Sequence, residues 1–198
     1  MKVYGDAVSG NCYKIQLTLA LLEKPYQWIH VDILKGETKA PTFLALSPNG
    51  KIPILELSSG DVISESNAIV NYLAYSSNLL PEDPLALAKV QQWQFFEQYS
   101  HEPYIAVARY IEKYLGLPED RLEDYKSKQE GGYRALDVME QQLLKSKFLV
   151  GETLTVADIS LFAYTHVCHE GGFALSNYPE IKRWIKEIKK HPKYTPME

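Results

Sequence analysis

The chain has 198 residues, 45% hydrophobic and 23% charged, with 21 Lys and Arg against 25 Asp and Glu for a formal charge of −4. That is ordinary globular composition at a length that buries a sizeable core; it excludes disordered, collagenous and coiled-coil chains and lacks the basic stripe of a nucleic-acid binder. Cys12 and Cys168 are too few for a disulfide framework, Met1–Asp6 lacks the apolar run of a signal peptide, and no stretch approaches the ~20 apolar residues that span a bilayer, so a soluble, cytoplasmic protein is expected.

The first 80 residues read as short alternating elements. Lys2–Tyr4 is a strand. Asn11–Leu22 is a helix with Ile15, Leu19 and Leu22 on one face and Leu17 and Leu21 on another, which suits packing on more than one neighbour. Lys24-Pro25 ends it, and Tyr26–Ile33, rich in aromatic and β-branched residues, is a strand. Pro41 suits the first turn of a short helix over Pro41–Leu46, and Ser47-Pro48-Asn49-Gly50 is a turn. Ile52–Leu57 and Val62–Ser64 form a hairpin about Ser58-Ser59-Gly60-Asp61, followed by a helix over Ser66–Tyr75. The order βαβ-α-ββ-α gives a small mixed sheet flanked by helices, an α/β first domain.

Ser76–Pro84 carries two prolines among small polar residues. It sets a first domain over 1–76, a linker over 77–84 and a second domain over 85–198 that is helical throughout. Val90, Trp93 and Phe96 mark one stripe; Val107 and Tyr110 continue it beyond Pro103, which is predicted to kink or break the segment. Leu136, Met139 and Leu143 mark the next long helix, Thr155 opens another that carries Cys168, and the last runs over Tyr178–Lys190.

Three places near the N-terminus can carry chemistry. Ser9-Gly10-Asn11-Cys12 lies where the first helix starts, and free N–H groups there, with the helix dipole, stabilise an anion such as a thiolate. The motif has the outline of Cys-x-x-Cys with serine in the exposed position, so no dithiol cycle can run through the chain's own cysteines. Ser9 or Asn11 equally reads as a plain helix cap, and Cys12 as a buried small hydrophobe rather than a nucleophile. In Lys51-Ile52-Pro53, a cis peptide bond would turn the backbone of Ile52 toward a peptide ligand; a trans edge-strand proline is the alternative. In Ser64-Glu65-Ser66-Asn67, Ser66 could hold a carboxylate and Glu65 an ammonium, together an amino-acid head group, or Ser64 or Glu65 simply caps the helix.

Two further motifs read as structural. Thr155-Val156-Ala157-Asp158, with Leu154 and Ile159 beside it, is a capping box with Asp in place of the usual Glu. His166, Cys168 and His169 on one helix do not make a metal site, because positions i and i+2 point apart and no fourth ligand is evident.

Taken in this order, Ser9-Gly-Asn-Cys12, Ser47-Pro-Asn-Gly-Lys-Ile-Pro53, Ser64-Glu-Ser66 and Thr155-Val-Ala-Asp158 resemble the soluble glutathione transferase superfamily. The likeness is to serine-type bacterial members (theta-, delta- or nu-like) and covers nearly the whole chain. It implies an α/β thioredoxin-like domain followed by an all-α helical bundle. It also implies glutathione as co-substrate without a metal, a small electrophilic acceptor, no nucleic-acid or membrane partner, and a homodimer. Ser9 falls where such enzymes keep the hydroxyl that meets the glutathione sulfur. Asn11 looks like a second thiolate-side donor of some disulfide-reducing bacterial members, so Ser9 and Asn11 are the catalytic candidates. Ile52 before Pro53 matches the backbone that holds the cysteinyl moiety, Glu65 and Ser66 the γ-glutamyl clamp, and Lys51 a contact to the glycyl carboxylate. Where theta-like enzymes have His after Lys-Gly, this chain has Thr38, and Lys39 is the substitute. Tyr104 and Tyr110 are candidates for the acceptor wall and equally for plain core. Gln98, His101 and Glu102 lie where a dimer partner would reach the ligand's amino group. The missing zeta-like Ser-Ser-Cys weakens an isomerase reading. Two alternatives to glutathione transfer stay open. Asn11 motivates a glutathione-dependent disulfide or peroxide reductase; the other is a non-enzymatic binding or regulatory relative, against which Lys51, Glu65 and Ser66 argue.

Overall fold

The computed structural model describes residues 1–197. The chain folds into two compact units, one of residues 1–77 joined by the C-terminal residues from Pro192, the other spanning Asn78–His191.

The first unit is built on a four-stranded sheet of order β2-β1-β3-β4, with β1 over Lys2–Gly5, β2 over Gln27–His30, β3 over Ile54–Glu56 and β4 over Val62–Ser64. β1 and β2 are parallel and joined by helix α1, Gly10–Leu21; β1–β3 and β3–β4 are antiparallel. α2 covers Pro41–Leu46 and α3 Ser66–Ala74. Register explains the layering. Val3 opposite Leu55 and Tyr4 opposite Ile54 alternate across the pleat. Ile54 and Tyr4 pack with Val31 and Phe43 of α2. Val3 and Leu55 point to the other side, where Ile15, Leu19, Ile69 and Leu73 of α1 and α3 are wholly buried. Both strand predictions flanking the core shrink. The predicted Tyr26–Ile33 keeps only its middle, and Ile52–Leu57 starts two residues later because Pro53 has no N–H for the ladder.

The second unit is helical: α4 Pro84–Phe96, α5 Glu102–Arg109, α6 Leu122–Leu143, α7 Val156–Thr165 and α8 Pro179–Lys189. Asp83 caps α4, its carboxylate accepting from the Ala86 N–H at 2.8 Å. Pro103 does not break the path. Glu97–His101 widens into a π-helical turn that absorbs the missing N–H, and α5 resumes with the proline in its first turn. Every residue of α7 is buried, which makes it the central rod of the unit. Its first turn is the predicted capping box, formed reciprocally by Thr155 and Asp158. The Asp158 carboxylate is wholly buried and accepts from the N–H groups of Leu149 and Thr155, the Thr155 hydroxyl and Trp184 Nε1, all within 3.0 Å. Burial raises its pKa against the pull of those four donors.

Three expectations about boundaries need correction. Within the expected linker over 77–84, Leu79 is buried, and its carbonyl accepts the Val156 N–H at 2.9 Å, which joins the stretch from Asn78 to the helical unit. The helical unit does not run to 198, because the C-terminal segment rejoins the first unit. There Thr195 O accepts from the buried Tyr13 hydroxyl at 2.7 Å and Lys193 pairs with Glu23. Cys168 is not mid-helix: α7 ends at Thr165, and Cys168–Gly171 is a separate 3₁₀ turn. No helix among the described residues is long and apolar enough to cross a membrane.

Candidate active site

Ser9 is the N-cap of α1. Its backbone is extended, and its side-chain oxygen accepts from the Cys12 N–H at 3.4 Å. The Ser9 hydroxyl also hydrogen-bonds the Cys12 side chain, so both ends of the group are engaged at the start of α1. Cys12 is wholly buried, and burial pushes its thiol up to about 12, outweighing the hydrogen bond that Ser9 lends it. Cys168 is raised to about 12 by burial as well. Neither cysteine is a thiolate at neutral pH.

The start of α3 meets the start of α1. Ser66 Oγ donates to Asn11 Oδ1 at 3.2 Å, and Lys14, one turn further along α1, donates from Nζ to Ser66 Oγ at 3.3 Å. Asn11 and Ser66, matched to different parts of a ligand, thus share one hydrogen-bond chain. Glu65 precedes Ser66 in a left-handed conformation, φ 68° and ψ 112°, that costs a non-glycine residue of order 1–3 kcal/mol and tends to mark a functional site. Glu65 occupies the N-cap position of α3, but its exposed side chain makes no capping hydrogen bond.

The Ile52–Pro53 bond is cis, as the first of the two sequence readings had it. Ile52 is partly buried against the cluster of Val31, Phe43 and Ile54. Lys51 and Lys39 are both exposed and close on the same turn: Lys39 Nζ lies 3.1 Å from where a Cβ on Gly50 would sit. Its neighbour Thr38 is buried.

Tyr104 and Tyr110 belong to the helical unit. The Tyr104 ring lies on Gly131 of α6, so close that a Cβ there would fall 2.2 Å from the ring edge, which gives it a packing role. Tyr110 is 37% exposed and tilts against Tyr114, centroids 5.4 Å apart. No group of three or more His, Cys, Asp or Glu side chains that could hold a metal occurs among the described residues. Sequence reading missed Lys14. The available signal was a lysine within a helix whose two apolar faces leave little room for a solvated side chain.

Comparison with known proteins follows the same lines. The family "Glutathione S-transferase, N-terminal domain" matches residues 8–75, and "Glutathione S-transferase, C-terminal domain" matches residues 94–192. The crystal structure of a glutathione S-transferase from Pseudomonas fluorescens Pf-5 is 59% identical, with a TM-score of 0.98 over 99% of this chain and 98% of that one. Disulfide-bond oxidoreductase YfcG of Escherichia coli K12 is 30% identical over 94% of this chain and 89% of its own length. The glutathione transferase URE2P6 from Phanerochaete chrysosporium, solved in complex with oxidized glutathione, is 27% identical with a TM-score of 0.87 over 97% of this chain and 91% of that one. A thioredoxin-like unit with a serine-capped first helix and a cis proline, an all-helical second unit and matches to both family domains leave one assignment: the chain belongs to the soluble glutathione transferase superfamily.

Proposed function

We propose that the chain is a glutathione transferase that stabilises the glutathione thiolate with the Ser9 hydroxyl and passes it to an electrophilic apolar substrate. The supporting observation is the Ser9 cap, which places the hydroxyl at the first turn of α1, its oxygen accepting from the Cys12 N–H. A free thiol has a pKa near 8.5, so only a few per cent is thiolate at neutral pH. Ser9 is too weak an acid to have served as a base; it acts by donating. A hydrogen bond to a charged group contributes roughly 1.5–3 kcal/mol, or about 1–2 pKa units, and the α1 dipole adds roughly 0.3–1 kcal/mol. Together they make the bound thiol mostly thiolate. The ligand's γ-glutamyl head group is read at Glu65 and Ser66, its cysteinyl backbone at Ile52 beside Pro53, and its glycyl carboxylate at Lys51 and Lys39. Tyr110 is the candidate for the acceptor wall. A cytoplasmic homodimer belongs to the same reading; Tyr75, Phe95 and Tyr99, exposed at 76%, 71% and 85%, are the kind of aromatic surface that association covers, and sedimentation tests it.

Calorimetric titration with glutathione, with conjugation to an aromatic halide by wild type and Ser9→Ala, tests the assignment. The expected loss in kcat/KM for Ser9→Ala is roughly 10- to 100-fold. An unchanged rate removes Ser9 from the mechanism.

A second reading is favoured by Asn11 together with the similarity to the E. coli disulfide-bond oxidoreductase. Here two glutathione thiolates reduce one disulfide in turn, giving oxidised glutathione and two thiols. The chain's own thiols take no part, since both are buried and protonated. Turnover of a small disulfide by wild type that falls in Asn11→Ala supports it; no turnover by wild type rejects it.

A further inference from the structure

The geometry points to Lys14 as a buried cation that positions the ligand site, acting on the head-group carboxylate and on the thiolate through Ser66 and Asn11. The inference rests on the glutathione reading above.

Lys14 is wholly inaccessible to solvent and sits on α1 among Cys12, Tyr13, Ile15, Leu17 and Thr18, all buried. An ammonium in such surroundings gives up its hydration, and a packed apolar side chain of similar size fills the same space at less cost. Its charge is therefore unnecessary for packing. What the charge does is visible at Ser66. Nζ donates to Ser66 Oγ, so that oxygen is an acceptor on its inner side. A hydroxyl has one proton. With Lys14 beneath it, the Ser66 proton can only point outward, to Asn11 Oδ1 in this structure and to a ligand carboxylate when one binds. Lys14 thereby fixes Ser66 as a donor toward an anion. It also lends positive charge to both helix starts: its field reaches the first turn of α1, where it draws the Cys12 thiol downward against burial.

One proton cannot serve two acceptors. When a carboxylate takes the Ser66 proton, Asn11 Oδ1 loses that donor. Head-group occupancy and thiolate stabilisation are then linked through three side chains. Asp6 and Lys14 both act on the Cys12 thiol at the first turn of α1, Asp6 raising and Lys14 lowering its pKa.

The test uses the full chain as wild type, Lys14→Met and Lys14→Arg. Calorimetry gives the Kd for glutathione and for S-methylglutathione, which has no ionisable thiol. Ultraviolet thiolate absorbance across pH gives the pKa of the bound thiol. Lys14→Met is expected to weaken S-methylglutathione about tenfold and raise the bound thiol pKa by about one unit, and Lys14→Arg to recover most of both. Wild-type values in Lys14→Met overturn the role of Lys14; so does weaker binding with an unmoved thiol pKa, the mark of a structural defect. Wild type that binds neither ligand overturns the glutathione reading itself. If Lys14→Met does not fold, the nitrogen resonance of the Lys14 ammonium in wild type decides. A shift on adding S-methylglutathione supports the inference, and no shift overturns it.

Discussion

Asn11 and Ser66 stand 55 positions apart in the chain and are joined by a 3.2 Å hydrogen bond, the hydroxyl donating to the amide oxygen. The bond ties the start of α1 to the start of α3, each a place where backbone N–H groups lack helical partners. Two anion-stabilising ends are thus held at a fixed separation before any ligand arrives, which lowers the ordering cost of binding.

Ser66→Ala removes the donor from that bond and from the head-group subsite. Glutathione affinity is expected to fall roughly tenfold, the worth of one hydrogen bond to a charged group. Thermal stability should fall as well, since the change takes from the buried Lys14 ammonium the hydroxyl that accepts from it. Calorimetry beside a melting curve checks both halves.

Cys12 and Cys168 should resist alkylation in the folded protein at neutral pH and react fully in denaturant. Both are buried with thiols near 12, so the thiolate fraction and the access are small together. Mass spectrometry after iodoacetamide treatment reads the outcome. Rapid native labelling of Cys12 would put a second nucleophile in the site.

Asp158→Ala strips four donors of their acceptor at the first turn of α7. The expected destabilisation is about 3–5 kcal/mol, because buried N–H groups lose a charged partner that no water replaces. Urea unfolding measures it. Asp158→Asn, which keeps one oxygen, should fall between.

His166 gives the protein a pH dependence of definite sign. Burial lowers its pKa to about 4 although its Nδ1 lies 2.7 Å from the Phe162 carbonyl, and its ring stacks on Phe162 at 4.4 Å. Unfolding returns the imidazole to about 6.5, so the unfolded chain binds the extra proton as pH falls. The contribution is present in full above about 6.5 and is lost as pH falls to about 4, of order 2–3 kcal/mol. Unfolding free energies across that window should decline less steeply in His166→Phe than in wild type.

Much of this architecture could be read from local chemistry. Pro41 at a first helical turn, the Val62–Ser64 return strand and the Thr155/Asp158 box are each set by residues within a few positions, and each lies where expected. Errors arose where distant residues decide. Leu79 looks like linker until Val156 supplies a donor, and the C-terminal segment looks like a helical-domain tail until Tyr13 is seen beneath it. The proposed ligand site divides the same way. Ser9, Asn11 and Ser66 carry motif signals, but Lys14 earns its role from a contact 52 positions away, which no local pattern encodes.

The seating of Thr195 against Tyr13 has a consequence for synthesis. The residues that close over the first helix leave the ribosome after every helix of the other unit. The glutathione-family sheet can therefore form early on the nascent chain, but its first helix gains this cover only once about 190 residues have been made. A chain stalled or cut before Pro192 keeps the sheet and loses the clasp.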